Sequence, residues 1–326
     1  MSEPVTIHGG GLAGTTLAWA LHHRGTAVRL IDFFAPSSAS RIAAGLMTPI
    51  TGKRLNASHR WHDFHPTAIR FYRRVEAELG VPVYQNLPIH RVFTSESEAA
   101  KLDLSNELAA ALPGVPEAIR APYGGFAMPT AGRLDVPGYI RTSHEQFKRC
   151  GIISDTRVSS DGLHVYCEGH TGTPHPAFAA VPMRPAKGEI LTVRLVGLGA
   201  ECAFNRGGYW LVPTDRPALF HFGATYSWEE LDNLPTESAR RELEAQLQLL
   251  LRVAYTVVDH RAAVRPIATQ QKPRLGLHPC DPRLGYFNGL SSKGALLAPY
   301  YAEMFARFLT TGEPIDTDVD VANALA

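Results

Sequence analysis

The residues with the clearest chemical purpose stand near the two ends of the chain. Gly9-Gly10-Gly11-Leu12-Ala13-Gly14 opens it, and Ser292-Lys293-Gly294-Ala295-Leu296-Leu297-Ala298-Pro299 lies near its close, preceded by Val264-Arg265-Pro266. Gly9, Gly11 and Gly14 have the G-x-G-x-x-G spacing of a pyrophosphate-binding turn. The first glycine permits the tight turn, the second lets backbone approach the phosphates, and the third lets helix and strand pack closely. Leu12 and Ala13 begin a helix whose unpaired N–H groups and partial positive charge favour an anion. Asp32, eighteen residues after Gly14, can accept hydrogen bonds from a ribose hydroxyl, and its charge disfavours a 2′-phosphate. These residues point to a dinucleotide without separating NAD from FAD.

Such residues need elements to hold them. Residues 4–8 read as a short buried strand, 12–24 as a helix closed by Gly25, and 27–31 as a second strand ending at Asp32, which together make a β-α-β unit. Helices are predicted over 57–79, 97–112, 136–150, 229–253 and 295–311, the last stopped by Gly312. Strands are predicted over 163–167, 189–196, 209–213, 218–225, 257–265 and 284–288. Strand and helix alternate at the ends, and strands dominate the middle, so a doubly wound α/β layer interrupted by a second sheet is expected.

Bulk properties narrow the function. The chain has 326 residues, 45% hydrophobic and 19% charged, which suits one or two well-packed domains. The formal net charge of +1 gives no electrostatic case for a nucleic-acid partner. Cys150, Cys167, Cys202 and Cys280 form no C-x-x-C pair and fit reduced thiols, so a cytoplasmic protein is expected. No apolar run is long enough to span a membrane, and residues 5–31 are occupied by the dinucleotide unit, so neither a membrane anchor nor a secretory leader is expected.

Along its length the chain resembles the D-amino-acid oxidase superfamily of flavoproteins, which includes glycine and sarcosine oxidases. The resemblance is carried by Ser40-Arg41-Ile42-Ala43-Ala44-Gly45-Leu46-Met47, Pro185-Ala186-Lys187-Gly188-Glu189, Tyr209-Trp210-Leu211-Val212-Pro213, Phe222-Gly223-Ala224-Thr225, Val264-Arg265-Pro266, and Gly289-Leu290-Ser291-Ser292-Lys293-Gly294 with Leu297-Ala298-Pro299. It implies a Rossmann-type FAD-binding domain of the GR2-like kind (residues 1–80, 135–185 and 270–326), interleaved with a mostly antiparallel substrate domain (81–134 and 186–269). It also implies FAD contacts at Gly9, Gly11, Leu12, Ala13, Gly14, Asp32, Ala44, Gly45, Leu46, Gly169, Ser292, Lys293, Gly294, Ala295 and Leu296. FAD is expected to be noncovalent, because Pro266-Ile267-Ala268-Thr269 lacks the cysteine to which some relatives attach it.

For chemistry the resemblance implies oxidation of an amine or amino acid to an imine, by hydride transfer to flavin N5, with oxygen as acceptor. Arg265 is the candidate carboxylate ligand, since a guanidinium fork matches a carboxylate. Trp210 stands where the family often has tyrosine, and Lys293 could place a cation beside the flavin. Strand alternation sends Tyr209 and Trp210 to opposite faces, and Tyr226 is a further aromatic candidate. His59, His62 and His65 rotate around a helix rather than converging on one ion, so no metal is expected. Two competing functions share the motifs: action on a modified tRNA wobble nucleoside, and a dehydrogenase using an acceptor other than oxygen. A nicotinamide-binding regulatory protein is the reading from a different class.

Overall fold

The structure is a computed structural model describing residues 3–32, 38–52, 54–102, 112, 120–153, 162–170, 174–251 and 253–325. Two sheets organise it. In the first, Val28–Ile31, Val5–His8, His164–Tyr166 and Asp281–Asn288 run parallel in that order, and Arg274–His278 adds an antiparallel edge. The β-α-β reading holds: Val5–His8 leads through the glycine turn into helix Leu12–His22 and on to Val28–Ile31. Helix Leu12–His22 and the long helix Gly294–Thr311 pack together on this sheet, with helix Trp61–Leu79 against the latter. Ile7, Leu17, Leu21, Leu30, Val165 and Phe287 are fully buried there, so the apolar periodicity of both helices is spent on one core. The Tyr72 hydroxyl donates to the Ala295 carbonyl (2.8 Å), pinning helix Trp61–Leu79 to the first turn of the terminal helix.

The second sheet has seven strands in the order Thr256–Arg265, Ala186–Arg194, Leu219–Gly223, Tyr209–Pro213, Ala203–Arg206, Ile89–Val92, Gly125–Met128. Its pairings are antiparallel except where Ala203–Arg206 meets Ile89–Val92 in parallel. Helix Glu237–Leu250 covers its outer face through Leu243 and Leu247, against Leu191, Val193 and Phe220. The inner face looks into a cavity.

Two helix expectations change. The helix expected over 229–253 begins only at Glu237, because Pro235 cannot continue a preceding ladder and Thr236 caps the start by accepting from Ala239 N–H (3.2 Å). Of the helix expected over 97–112, a short one at Glu96–Ala99 is seen, and 103–111 lie outside the described residues. The strands Tyr84–Asn86, Ile89–Val92, Gly125–Met128, Gly132–Leu134, Ala203–Arg206 and Arg274–His278 were not expected from the sequence. Among the described residues no helix is long and apolar enough to cross a membrane. The four cysteines are free, with Cys167 buried beside the glycine turn.

Candidate active site

A cavity of about 810 Å³ runs from the glycine turn to the inner face of the seven-stranded sheet. That lies toward the upper end of ligand pockets, roughly 300–1,000 Å³. Steric demands shape the end at the glycine turn. A Cβ on Gly14 would lie 1.9 Å from the Gly9 carbonyl oxygen, and one on Gly9, where φ is +105°, would lie 2.5 Å from the Cys167 carbonyl oxygen. Only glycine lets the turn lie this close to both helix and neighbouring strand. Helix Leu12–His22 starts with no side-chain cap and no acid in its first turn, and Ser40 Oγ accepts from Leu12 N–H (3.1 Å). Asp32 Oδ1 accepts from Gly10 N–H (3.3 Å), while Oδ2 pairs with Arg41 Nη2 (3.1 Å) and lies 3.6 Å from His144 Nδ1.

The opposite end is cationic. Arg265 ends strand Thr256–Arg265, and its guanidinium lies over Gly188 on the next strand, where a Cβ would be 2.1 Å from it. It donates to the Thr225 carbonyl (3.3 Å) and stacks on the Tyr226 ring, 4.2 Å from the centroid. Among the described residues no carboxylate lies within 4.0 Å of it, and burial holds its pKa below the usual arginine value. A desolvated cation with unused donors aimed into a cavity is built to receive an anion. The Tyr226 hydroxyl hydrogen-bonds Ser292 Oγ, joining this wall to the turn before the terminal helix.

That turn, Ser291–Lys293, leads into helix Gly294–Thr311, which also starts without a side-chain cap or an acid in its first turn. Gly294 packs on Leu12, where a Cβ would come within 2.8 Å of Leu12 Cδ2. Two helix N-termini thus meet at one cavity. Lys293 is half-buried, desolvation lowers its pKa, and Nζ reaches Thr51 Oγ1 (3.4 Å). At the cavity edge desolvation raises the pKa of Glu168, and Gly169, with φ +67°, accepts at its carbonyl from Asn288 Nδ2 (2.8 Å).

Of the residues singled out from the sequence, Gly9, Gly11, Leu12, Ala13, Asp32, Ala44, Gly45, Leu46, Gly169, Trp210, Arg265, Ser292, Lys293, Gly294 and Ala295 line this one cavity. Gly14 does not; its part is the helix–strand contact. Leu296 does not either and is buried in the core behind the helix, since its position on the first turn faces away. Strand alternation resolves as expected: Trp210 faces the cavity, while Tyr209 faces outward and donates to Glu242 (2.5 Å). His65, one of the three spaced histidines, stacks on Trp61 with centroids 4.0 Å apart. Sequence reading missed Thr48, Thr51 and Asn205, which reach the cavity only through tertiary pairing. For Arg41 the signal was in hand, because it follows Asp32 in the segment already quoted and pairs with it.

The glycine cradle, the Asp32 carboxylate, the two helix starts and the cavity's volume fit the flavin dinucleotide that the resemblance implies. A family model described as FAD dependent oxidoreductase, DAO, matches residues 4–308. Among curated proteins the chain is similar to the tRNA 5-methylaminomethyl-2-thiouridine biosynthesis bifunctional protein MnmC of Caulobacter vibrioides, 26% identical over 349 residues, with 96% of this chain and 56% of that protein covered. It is also similar to glycine oxidase of Pseudomonas putida, 28% identical over 137 residues, with 41% of this chain and 37% of that protein covered. The chain therefore spans about half, or less, of the length of these relatives. Glycine oxidase from Bacillus cereus shares the fold at a TM-score of 0.78 and 19% identity, with 98% and 97% of the two chains covered. Iminodiacetate oxidase from Chelativorans sp. BNC1 does so at 0.74 and 20%, with 96% of each chain covered. With the family model spanning nearly the whole sequence, the chain belongs to the DAO family of FAD-dependent oxidoreductases.

Proposed function

We propose that this oxidoreductase converts a carboxylate-bearing amine, such as an amino acid, to its imine. The observation that carries the reading is Arg265: a half-buried, desolvated guanidinium with no carboxylate partner among the described residues, opening into the cavity that begins at the glycine turn. When bound, FAD would supply a two-electron acceptor for the substrate hydride. Everything else falls to this chain's residues. Arg265 holds the substrate carboxylate in a fork, and Tyr226, locked to Ser292, keeps the guanidinium flat. Trp210, Ile190, Ala224 and Ala263 give the neighbouring wall an apolar surface. That surface disfavours an ammonium and so favours the neutral amine, whose lone pair drives hydride loss. The N–H proton leaves to water, and water then hydrolyses the imine.

In this reading FAD is held without a covalent bond, by residues 1–80, 135–185 and 270–326, and the substrate by 81–134 and 186–269. Oxygen is the electron acceptor, with Lys293 as the cation that favours its reduction. The free thiols support a cytoplasmic setting. The test is anaerobic: an amino acid or N-substituted glycine from a broad panel should bleach the flavin absorbance of the purified yellow protein. Failure of every amine in the panel rules the reaction out.

A second reading has specific support. The MnmC relative aligns over 96% of this chain, so the carboxylate-bearing amine could belong to a modified wobble nucleoside in tRNA. The net charge of +1 weighs against a tRNA partner. Gel shifts with tRNA across a salt series discriminate, because phosphate contacts weaken steeply with salt. Dye reduction measured against oxygen consumption separates an oxidase from a same-fold dehydrogenase.

A further inference from the structure

One row of residues crosses the inner face of the seven-stranded sheet. Register pairs Arg91 with Asn205, Asn205 with Trp210, Trp210 with Gly223 and Gly223 with Ile190. Arg91 is 4% exposed and Glu98 is also 4% exposed, and the two form an ion pair. Glu98 Oε2 accepts from Thr94 N–H (2.7 Å) and Thr94 Oγ1 (2.6 Å), so both carboxylate oxygens are occupied. The two terminal nitrogens of Arg91 do further work. Nη2 also donates to the Gly52 carbonyl (3.2 Å), bracing the loop whose Thr51 meets Lys293, and Nη1 donates to Asn205 Oδ1.

The last bond fixes the Asn205 side chain. Arginine has no acceptor, so only the amide oxygen of Asn205 can face Arg91, and its NH2 must point the other way. Asn205 is half-buried and lines the cavity, and among the described residues its Nδ2 meets no acceptor. A buried ion pair thus holds a neutral donor at the cavity wall. Such pairs contribute little net stability, because desolvation offsets attraction. Aiming a neighbouring group is a better account of this one.

We infer that Asn205 donates a hydrogen bond to an uncharged acceptor oxygen on the substrate, distal to the carboxylate held by Arg265, and that Arg91 and Glu98 are its positioning residues. The inference rests on the carboxylate reading of Arg265. Asn205 and Gly188, over which the Arg265 guanidinium lies, sit on strands three steps apart. At about 4.8 Å per step that is roughly 14 Å of sheet. A substrate touching both is much longer than glycine: an amine with a carboxylate at one end and an amide-like or carbonyl group at the other.

The test uses the FAD-loaded protein and two probes that cannot be oxidised to an imine, (benzylthio)acetate and its 4-carbamoyl derivative. Binding is read by calorimetry and by the change in flavin absorbance. The carbamoyl probe should bind wild type about 5-fold tighter, the worth of one neutral hydrogen bond. Asn205→Ala should bring the ratio to about 1 while leaving the Kd of the unsubstituted probe unchanged. The charge-neutral double variant R91M/E98M, which leaves no lone buried carboxylate, should lower the ratio with Asn205 still present. Equal binding of both probes to wild type overturns the inference, as does a ratio that survives Asn205→Ala or an equal weakening of both probes in either variant. Failure of both probes to bind wild type points instead to the carboxylate reading itself and removes the inference with it.

Discussion

Replacing Arg265 by methionine keeps the side-chain stem over Gly188 and removes only the charged fork. In the structure that fork makes one hydrogen bond, to the Thr225 carbonyl at 3.3 Å, and one ring contact, to Tyr226. A guanidinium has five N–H donors, so ample capacity remains for a bidentate carboxylate. Two charge-assisted bonds at about 1.5 kcal/mol each give about 3 kcal/mol, or roughly a 150-fold loss in kcat/KM. The loss should fall on N-benzylglycine and spare N-methylbenzylamine, which lacks the carboxylate. Stopped-flow bleaching of the flavin without oxygen measures both. The melting temperature should not fall, because no carboxylate is left behind and an uncompensated desolvation cost disappears. Equal losses for acid and amine would refute the reasoning, since Arg265 would then be shaping the wall rather than holding the anion.

Three further outcomes are expected. Gly14→Ala places a Cβ 1.9 Å from the Gly9 carbonyl oxygen, so the protein should lose about 1–3 kcal/mol of stability and purify with little flavin, as read by melting temperature and the ratio of 450-nm to 280-nm absorbance. Lys293→Met should slow reoxidation of reduced protein by oxygen at least about 10-fold with the bleaching rate little changed. Because burial lowers the Lys293 pKa, wild-type reoxidation should also decline with rising pH before an ordinary lysine would deprotonate, and the variant should show no such decline. His8 and His221 are each held at a pKa of about 4, by burial first and then by His164 beside His8 and Arg261 beside His221. The unfolded chain takes up those protons near pH 6.5, so this contribution to stability is complete above 6.5 and is lost as pH falls toward 4. Melting curves across that window should be flatter for His8→Gln and His221→Gln; slopes equal to wild type would remove the attribution.

What the sequence made legible was whatever is encoded locally. The glycine turn, helix Leu12–His22 and Asp32 announce themselves within about thirty residues, because the glycine spacing, the helix and the acid follow one another directly, although the demand on Gly9 comes from distant Cys167. Helix Gly294–Thr311 is equally plain, with strong periodicity and Gly312 in the left-handed region at its end. Strands such as Tyr84–Asn86 and Ala203–Arg206 have three or four residues, too few for a period of two to register. Nothing in the sequence singles out Arg91. Only the pairing of Ile89–Val92 with Ala203–Arg206 brings it against Asn205 and turns it into a buried strut. Leu296 differs by one step of helical phase: its neighbours Gly294 and Ala295 reach the cavity, and a further 100° of rotation carries its side chain into the core.

The parallel seam between Ile89–Val92 and Ala203–Arg206 has a consequence for how the molecule assembles. Its partners Arg91 and Asn205 are 114 positions apart, and the chamber also needs the turn at Lys293. The glycine turn lies far from Lys293 in sequence, so it has no chamber around it until helix Gly294–Thr311 has packed. Contacts this distant form late, after the entropy of closing long loops has been overcome. A flavin held by both ends of that chamber should therefore bind the finished molecule in preference to a partly folded one. Saturating the protein with the coenzyme should then raise thermal resistance by mass action without guiding the earlier steps of folding.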